Sequence, residues 1–272
     1  MAATYLDGIL AAHREEAAAD HRRLGALVDS ALAAPPPRPF TAALAGAEGL
    51  AVIAEVKRRS PRGPLDDGLD PSRVASDYRD GGAACLSVLT DERFFGARPG
   101  DLGAARVASG LPVLRKDFTV GPADVCDARL MRADAVLLIV AALSPGELGE
   151  LHELATRLGL AALVEVHDEN DVERALLVGA TLIGVNQRDL ATFEVDRARA
   201  ERLRPGIPAG VVAVAESGIG TPEDVRRLAG AGYDAVLVGE HLVRSPDPAA
   251  AVTALRTAGC RHEAAVGGDP CS

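Results

Sequence analysis

Of the 29 basic residues in this chain, only Lys57 and Lys116 are lysine. Arginine stays protonated at any working pH, whereas a lysine in a partly desolvated site can release its proton. Lysine kept at two positions in a chain that otherwise uses arginine therefore points to proton transfer. Both have acidic company. Glu55-Val56-Lys57 sets a carboxylate and an ammonium at i, i+2, on one face of a strand, and Arg115-Lys116-Asp117 repeats the mixture. Further on, Glu165, Asn186 and Glu216 interrupt or end apolar runs. Brought together, these groups could act as acid–base pairs. Ion pairs between strand layers are the purely structural alternative.

Glycine carries a second signal. Glu216-Ser217-Gly218-Ile219-Gly220 runs into Thr221-Pro222, and Gly239-Glu240 follows the last apolar run. Glycine permits close backbone approach, and amides at a helix start attract an anion such as phosphate. Phe94, Phe95 and Phe118 lie in two neighbouring loops of a chain with 5 Phe, 3 Tyr and no Trp. They suit either a flat aromatic substrate moiety or ordinary loop packing.

The elements that would position these groups repeat. From about residue 48, short β-branched apolar runs at 50–57, 85–90, 112–116, 135–140, 162–166, 182–186, 211–216 and 235–239 alternate with helical stretches. Such runs suit strands covered on both faces. Asp70-Pro71, Ser144-Pro145, Thr221-Pro222 and Asp247-Pro248 each set a capping residue before a proline at the first helical position. Gly81-Gly82, Gly159, Gly179 and Gly230 read as helix ends. The class is α/β, a (β/α)8 TIM barrel with an N-terminal helical extension. A doubly wound sheet competes less well, because no Gly-x-Gly-x-x-Gly follows the first strand. Sites in such barrels form at the C-terminal strand ends, where the acid–base residues fall, and phosphate often binds after strands 7 and 8. Residues 1–48 read as a helix over 4–33 plus a stiff connector at Pro35-Pro36-Pro37, residues 49–258 as the catalytic barrel, and 259–272 as a flexible tail. The N-terminal helix could serve as a lid over one mouth or as a packing helix.

Composition narrows the function. A hydrophobic content of 48% excludes global disorder, and a net charge of −10 without a basic tract argues against nucleic acid. The longest uncharged run, 175–187, is shorter than the roughly 20 residues of a membrane-spanning helix, and the start has no secretory pattern. The 4 cysteines, Cys85, Cys126, Cys260 and Cys271, and the scattered 6 histidines show no ligand spacing. Two core thiols and two tail thiols in a reduced, cytoplasmic protein with no metal is the expectation.

As a set, these motifs resemble indole-3-glycerol phosphate synthases. The resemblance rests on Ala54-Glu55-Val56-Lys57-Arg58-Arg59-Ser60-Pro61, Leu86-Ser87-Val88-Leu89-Thr90-Asp91 with Phe94-Phe95-Gly96, and Leu114-Arg115-Lys116-Asp117-Phe118. It continues through Ala135-Val136-Leu137-Leu138-Ile139, Leu163-Val164-Glu165-Val166-His167, Gly184-Val185-Asn186-Gln187-Arg188-Asp189-Leu190 and Ala215-Glu216-Ser217-Gly218-Ile219. The match covers roughly 38–250 and implies a carboxy-lyase of tryptophan biosynthesis that needs no cofactor. Its implied substrate is a phosphorylated small molecule, 1-(2-carboxyphenylamino)-1-deoxyribulose 5-phosphate, and its implied partners are other enzymes of that pathway. By this resemblance Lys116 is the general acid, Glu165 the general base and Lys57 the carboxylate anchor. Glu55 orients the lysines, Asn186 and Arg188 position the carboxylate end, and Glu216 lies in the pocket. Ser217, Gly218, Gly239 and Glu240 hold phosphate, Ser60 also contacts substrate, and Phe95, Phe118 and Pro61 line the ring pocket.

The chain departs from the family pattern at Arg62, Ala97-Arg98, Gly121-Pro122-Ala123 and Gln187, none of them a proposed catalytic group. Another phosphosugar barrel (a ketose isomerase, or a Schiff-base aldolase using Lys116) and a non-catalytic phosphate-binding paralogue are the competing readings.

Overall fold

The computed structural model describes residues 5–60 and 63–260. Eight parallel strands close into a barrel: β1 Ala51–Val56, β2 Cys85–Leu89, β3 Val113–Lys116, β4 Ala135–Ile139, β5 Ala161–Val166, β6 Leu182–Asn186, β7 Val212–Glu216 and β8 Ala235–Val238. Each strand pairs with its sequence neighbours, and β8 returns to β1. The expected strands match these to within two residues at either end.

Side-chain alternation divides the core in two. Ile53, Leu114, Leu137, Leu163, Val214 and Leu237 point inward and pack together, while Val52, Val88, Val136, Val164, Ile183 and Val236 face the surrounding helices. The lower mouth is closed by α3, Phe40–Ala45, whose buried Phe40 and Leu44 join the inner cluster. Periodicity did not anticipate this short plug.

The expected 4–33 helix is two helices, α1 Tyr5–Ala19 and α2 Leu24–Ala33. Asp20 explains the break: its carboxylate accepts from the Arg22 backbone N–H at 2.9 Å, a local bond that competes with the helical ladder. Arg22 then reaches Asp127 of the helix Pro122–Leu130 at 2.8 Å. On the barrel, all four Pro-preceding caps are formed. One expected end is displaced: the helix Pro222–Gly230 contains Gly230, and it is Gly232 that turns left-handed with φ +90°. Cys85 and Cys126 are buried free thiols. Cys271 and the expected tail from 261 onward lie outside the described residues, as do Pro61 and Arg62. No described helix is long and apolar enough to cross a membrane.

Candidate active site

The inward alternation that builds the core also delivers the chemistry. Following Ile53 and Leu114 by two residues on their strands come Glu55 and Lys116, and following Leu163, Gly184 and Val214 come Glu165, Asn186 and Glu216. These side chains meet at the C-terminal mouth, with Lys57 just beyond β1. A cavity of about 560 Å³ opens there, floored by Leu137, Ile139 and Leu237.

Lys116 is the hub. Its Nζ lies 2.9 Å from Glu165 Oε2 and 3.4 Å from Glu216 Oε2. Lys57 pairs with Glu55. Glu165 Oε1 accepts from Asn186 Nδ2 at 3.1 Å, and the Asn186 amide oxygen accepts from the Arg188 backbone N–H at 3.0 Å. Two glycines make room for the carboxylates. A Cβ on Gly184 would overlap Glu216 Oε1 and come within 3.1 Å of Leu163, and one on Gly239 would overlap Glu55 Oε1 and meet Lys57 Nζ at 2.9 Å.

Three buried carboxylates against two ammoniums leave an excess of negative charge, and the titration properties reflect it. Burial pushes Glu216 up to about 7, with the Glu165 and Glu55 charges adding to that and Lys116 opposing it. Glu165 moves the other way: burial would raise it, but Lys116, His167 and the Asn186 hydrogen bond together hold it below the ordinary carboxylate value. Burial weakens the Lys116 ammonium, yet the charges of Glu165, Glu216 and Glu55 outweigh it and keep Lys116 protonated above its ordinary range.

After β7 the chain turns sharply. Ser217 has φ +66° and Gly218 φ +70°, and a side chain at Gly218 would also run into Val195. Gln187 Nε2 donates to the Ser217 carbonyl at 2.8 Å, fixing the turn. The start of the helix Pro222–Gly230 differs from expectation. Asp224 already accepts from the Gly220 and Thr221 backbone N–H groups, each at 3.1 Å. An anion here is therefore left with the Ser217–Gly218 turn and the Gly239–Glu240 segment. Glu240 directs its carboxylate to Arg244 at 3.1 Å, so it is the Glu240 backbone that suits an anion.

Phe95 and Phe118 form one wall, their rings 6.3 Å apart at 34°. Ser60, Arg188 and all the other predicted site residues within the described part line the same cavity. Phe94 lies behind it, against Tyr5 and His13. Of the two placements open to the N-terminal helix, the structure shows the one over the mouth, with residues not singled out from the sequence. Tyr5, Leu6 and Ile9 of α1 line the cavity, and Tyr5 meets Phe193 edge-on at 5.1 Å, which decides the position of this helix as over the mouth. Helix α1 is tied down by His13 Nε2 to Asp91 Oδ2 at 2.9 Å and by Arg14 to Glu147 at 2.8 Å. His13, Asp91 and Asp117 also offer three ligand atoms within 4.8 Å of one another. However, Asp117 is paired with Arg115 at 3.0 Å and Asp91 caps the turn at Glu92–Phe95, so the group is a hydrogen-bonded latch.

A (β/α)8 barrel with a lysine–carboxylate cluster at its C-terminal mouth and glycine turns after strands 7 and 8 is an enzyme for a small phosphorylated substrate. Residues 6–255 match the family model for indole-3-glycerol phosphate synthase. The chain is 51% identical over 260 residues to the indole-3-glycerol phosphate synthase of Mycobacterium avium, covering 94% of this chain and 95% of that one. Identity to the enzyme of the same name from Mycobacterium leprae is 50% over 259 residues, with the same coverage, 94% and 95%. The chain belongs to the indole-3-glycerol phosphate synthase family. Among solved structures, thiamine phosphate pyrophosphorylase from Pyrococcus furiosus superposes with a TM-score of 0.57 at 16% identity, covering 78% of this chain and 95% of that one. (S)-3-O-geranylgeranylglyceryl phosphate synthase from Thermoplasma acidophilum gives 0.55 at 16%, covering 78% and 94%. These two share the barrel fold alone.

Proposed function

We propose that this site closes the indole ring, converting 1-(2-carboxyphenylamino)-1-deoxyribulose 5-phosphate to indole-3-glycerol phosphate with release of CO2 and water. The observation that carries the residue roles is the position of Lys116 between Glu165 and Glu216. The carboxyl-bearing ring carbon attacks the ketone carbon, and Lys116 protonates the ketone oxygen as it becomes an alkoxide. Ring attack breaks aromaticity, and a largely buried ammonium stabilises the developing charge. Loss of CO2 restores the ring. The new hydroxyl then takes a proton from the Lys57 ammonium and leaves as water, while the neighbouring carbon gives up a proton to Glu165.

Coupling supports this order. While Lys116 is charged, Glu165 is a weak base. Once Lys116 has given its proton away, the strongest influence lowering Glu165 is gone and its basicity rises for the dehydration. Lys57, steered by Glu55, anchors the benzoate carboxylate, with Asn186 and Arg188 on the same side. Ser217, Gly218 and the Gly239–Glu240 backbone hold phosphate, and Ser60, Phe95 and Phe118 surround the ring. Residues 49–258 form the catalytic body, and 1–48 supply its plug and roof. A membrane-impermeant phosphorylated substrate supports a cytoplasmic setting, beside the enzymes that supply it and consume the product.

A Schiff-base reaction at Lys116 would need a neutral amine, which its flanking carboxylates oppose. The test is indole fluorescence from purified protein supplied with the carboxyphenylamino substrate. Absence of turnover with intact substrate binding would leave a phosphate-ligand-binding paralogue. A borohydride-trapped Lys116 adduct would leave the aldolase reading.

A further inference from the structure

The mechanism above gives no role to one group in contact with Glu165. His167 follows Glu165 by two residues at the end of β5, on the same face of the chain. Its imidazole is 13% exposed, with Nε2 3.5 Å from Glu165 Oε1 and Nδ1 3.8 Å from Asp171 Oδ2. Both ring nitrogens are buried and neither makes a well-formed hydrogen bond among the described residues; Asp171 is the stronger partner, acting on the ring as an acceptor as well as a charge. A neutral ring placed this way would bury a donor and an acceptor unsatisfied, whereas an imidazolium is attracted by a carboxylate on each side.

The other charges around it are few. Lys116 lies beyond Glu165, on the opposite carboxylate oxygen. Arg199, on the helix Arg199–Leu203, opposes the positive ring, and Arg174 lies 3.8 Å from Asp171. Asp171 belongs to the helix Glu169–Leu177, and it also accepts from the His167 backbone N–H at 3.0 Å, so the brace is rigidly attached. Burial lowers the His167 pKa, but Asp171 and Glu165 prevail and hold it above the ordinary 6.5.

We propose that His167 is a positioning residue for ring closure: braced by Asp171, its imidazolium joins Asn186 in fixing Glu165 Oε1. The inference rests on the general-base reading of Glu165. Its chemical sense lies in the middle of the cycle. When Lys116 has given up its proton, Glu165 loses the cation beside Oε2. His167 is then the cation that remains in contact, and it keeps the carboxylate ionised and turned toward the substrate until dehydration.

Two measurements test it. With isotope-labelled histidine, the NMR titration of the His167 ring should show an apparent pKa above 6.5. In Glu165→Gln that value should fall by about one unit. A ring that titrates at or below the ordinary value, unchanged by Glu165→Gln, overturns the pairing. In His167→Gln, where a neutral amide keeps the size and polarity, kcat should fall about tenfold with KM within about twofold. The acid limb of the kcat–pH profile should move up by about one unit. A uniform fall in kcat with that limb unmoved means a structural role and overturns the proposal. Should His167→Gln fail to fold, the NMR comparison decides, because it leaves His167 in place. Turnover by Glu165→Gln reports separately on the general-base reading: near-normal activity there removes that reading while the titration still reports the pairing.

Discussion

Lys116→Arg separates charge from proton donation. The guanidinium carries the same charge and can reach the two carboxylates that Lys116 Nζ meets at 2.9 and 3.4 Å. Forked bonds to Glu165 and Glu216 would preserve the buried charge balance and the fold. What is lost is a proton transferable at working pH. General acid catalysis contributes on the order of 10²–10⁴-fold, so kcat should fall roughly 10³-fold, about 4 kcal/mol of barrier. KM should change far less, because Lys57 and the glycine turns that anchor the two ends of the substrate are untouched. Lys116→Met is the control. Breaking a buried pair costs about 3–5 kcal/mol, but Glu216, already raised to about 7, takes up a proton and relieves part of it. A net loss of about 1–3 kcal/mol in chemical unfolding is expected for Met and little for Arg. Indole fluorescence gives the rates. Turnover by Lys116→Arg within tenfold of the unsubstituted enzyme would remove Lys116 from the acid role. Equal destabilisation of the two variants would show that the arginine does not restore the pairing.

Glu216→Gln should raise stability while abolishing efficient turnover. The carboxyl is raised from 4.5 to about 7 in the folded protein, so the cost of ionising it is absent below 4.5, grows through that window and is complete above 7. A gain of about 1–3 kcal/mol at pH 8 and none at pH 4.5 is expected in denaturant titrations; equal gains at both pH values contradict the linkage. His13 has its pKa raised in the fold: burial opposes, but the Asp91 hydrogen bond and the Asp117 and Asp91 charges prevail. Its latch therefore stabilises fully below pH 6.5 and is lost as pH rises through the folded value. His13→Gln should cost more stability at pH 6 than at pH 9, and it should raise KM through a looser α1 roof; a pH-independent cost counts against the latch. Gly184→Ala should push Glu216 off Lys116, costing about 1–3 kcal/mol of overpacking and about tenfold or more in kcat. Full activity in that variant would show that Glu216 has room elsewhere.

The sequence announced the strands because both of their faces are covered, leaving β-branched apolar runs bounded by glycine and proline. It announced the acid–base residues because charge inside such a run has few structural excuses. The break at Asp20 and the α3 plug were hidden for a common reason: each depends on a partner distant in sequence or on a single side-chain-to-backbone bond, and neither alters hydrophobic periodicity. The roof was open as a possibility, but its residues were hidden. Tyr5, Leu6 and Ile9 look like any apolar helix face until Phe193, itself left-handed at φ +61°, rises to meet Tyr5. His167 sat inside a motif already in view, but a histidine after a strand is unremarkable until its distances to two carboxylates are known.

Gly184 and Gly239 show how closely the site and the fold are made from the same choices. Both occupy inward positions that elsewhere on the strands hold large apolar side chains, and in both the missing Cβ is replaced by a neighbour's carboxylate. Removing those side chains gives up burial, of order 1.5–3 kcal/mol for each Val or Leu. In return three buried carboxylates line one cavity, closer than free solution would favour. Burial first, and the neighbouring Glu165 and Glu55 charges after it, push Glu216 up to about 7, against the pull of Lys116. An arginine at either lysine position would balance charge equally well but could not pass a proton to the substrate. The arginine-rich composition and its two exceptions are thus one requirement seen from opposite sides: fixed charge wherever structure needs it, and transferable charge only at this mouth.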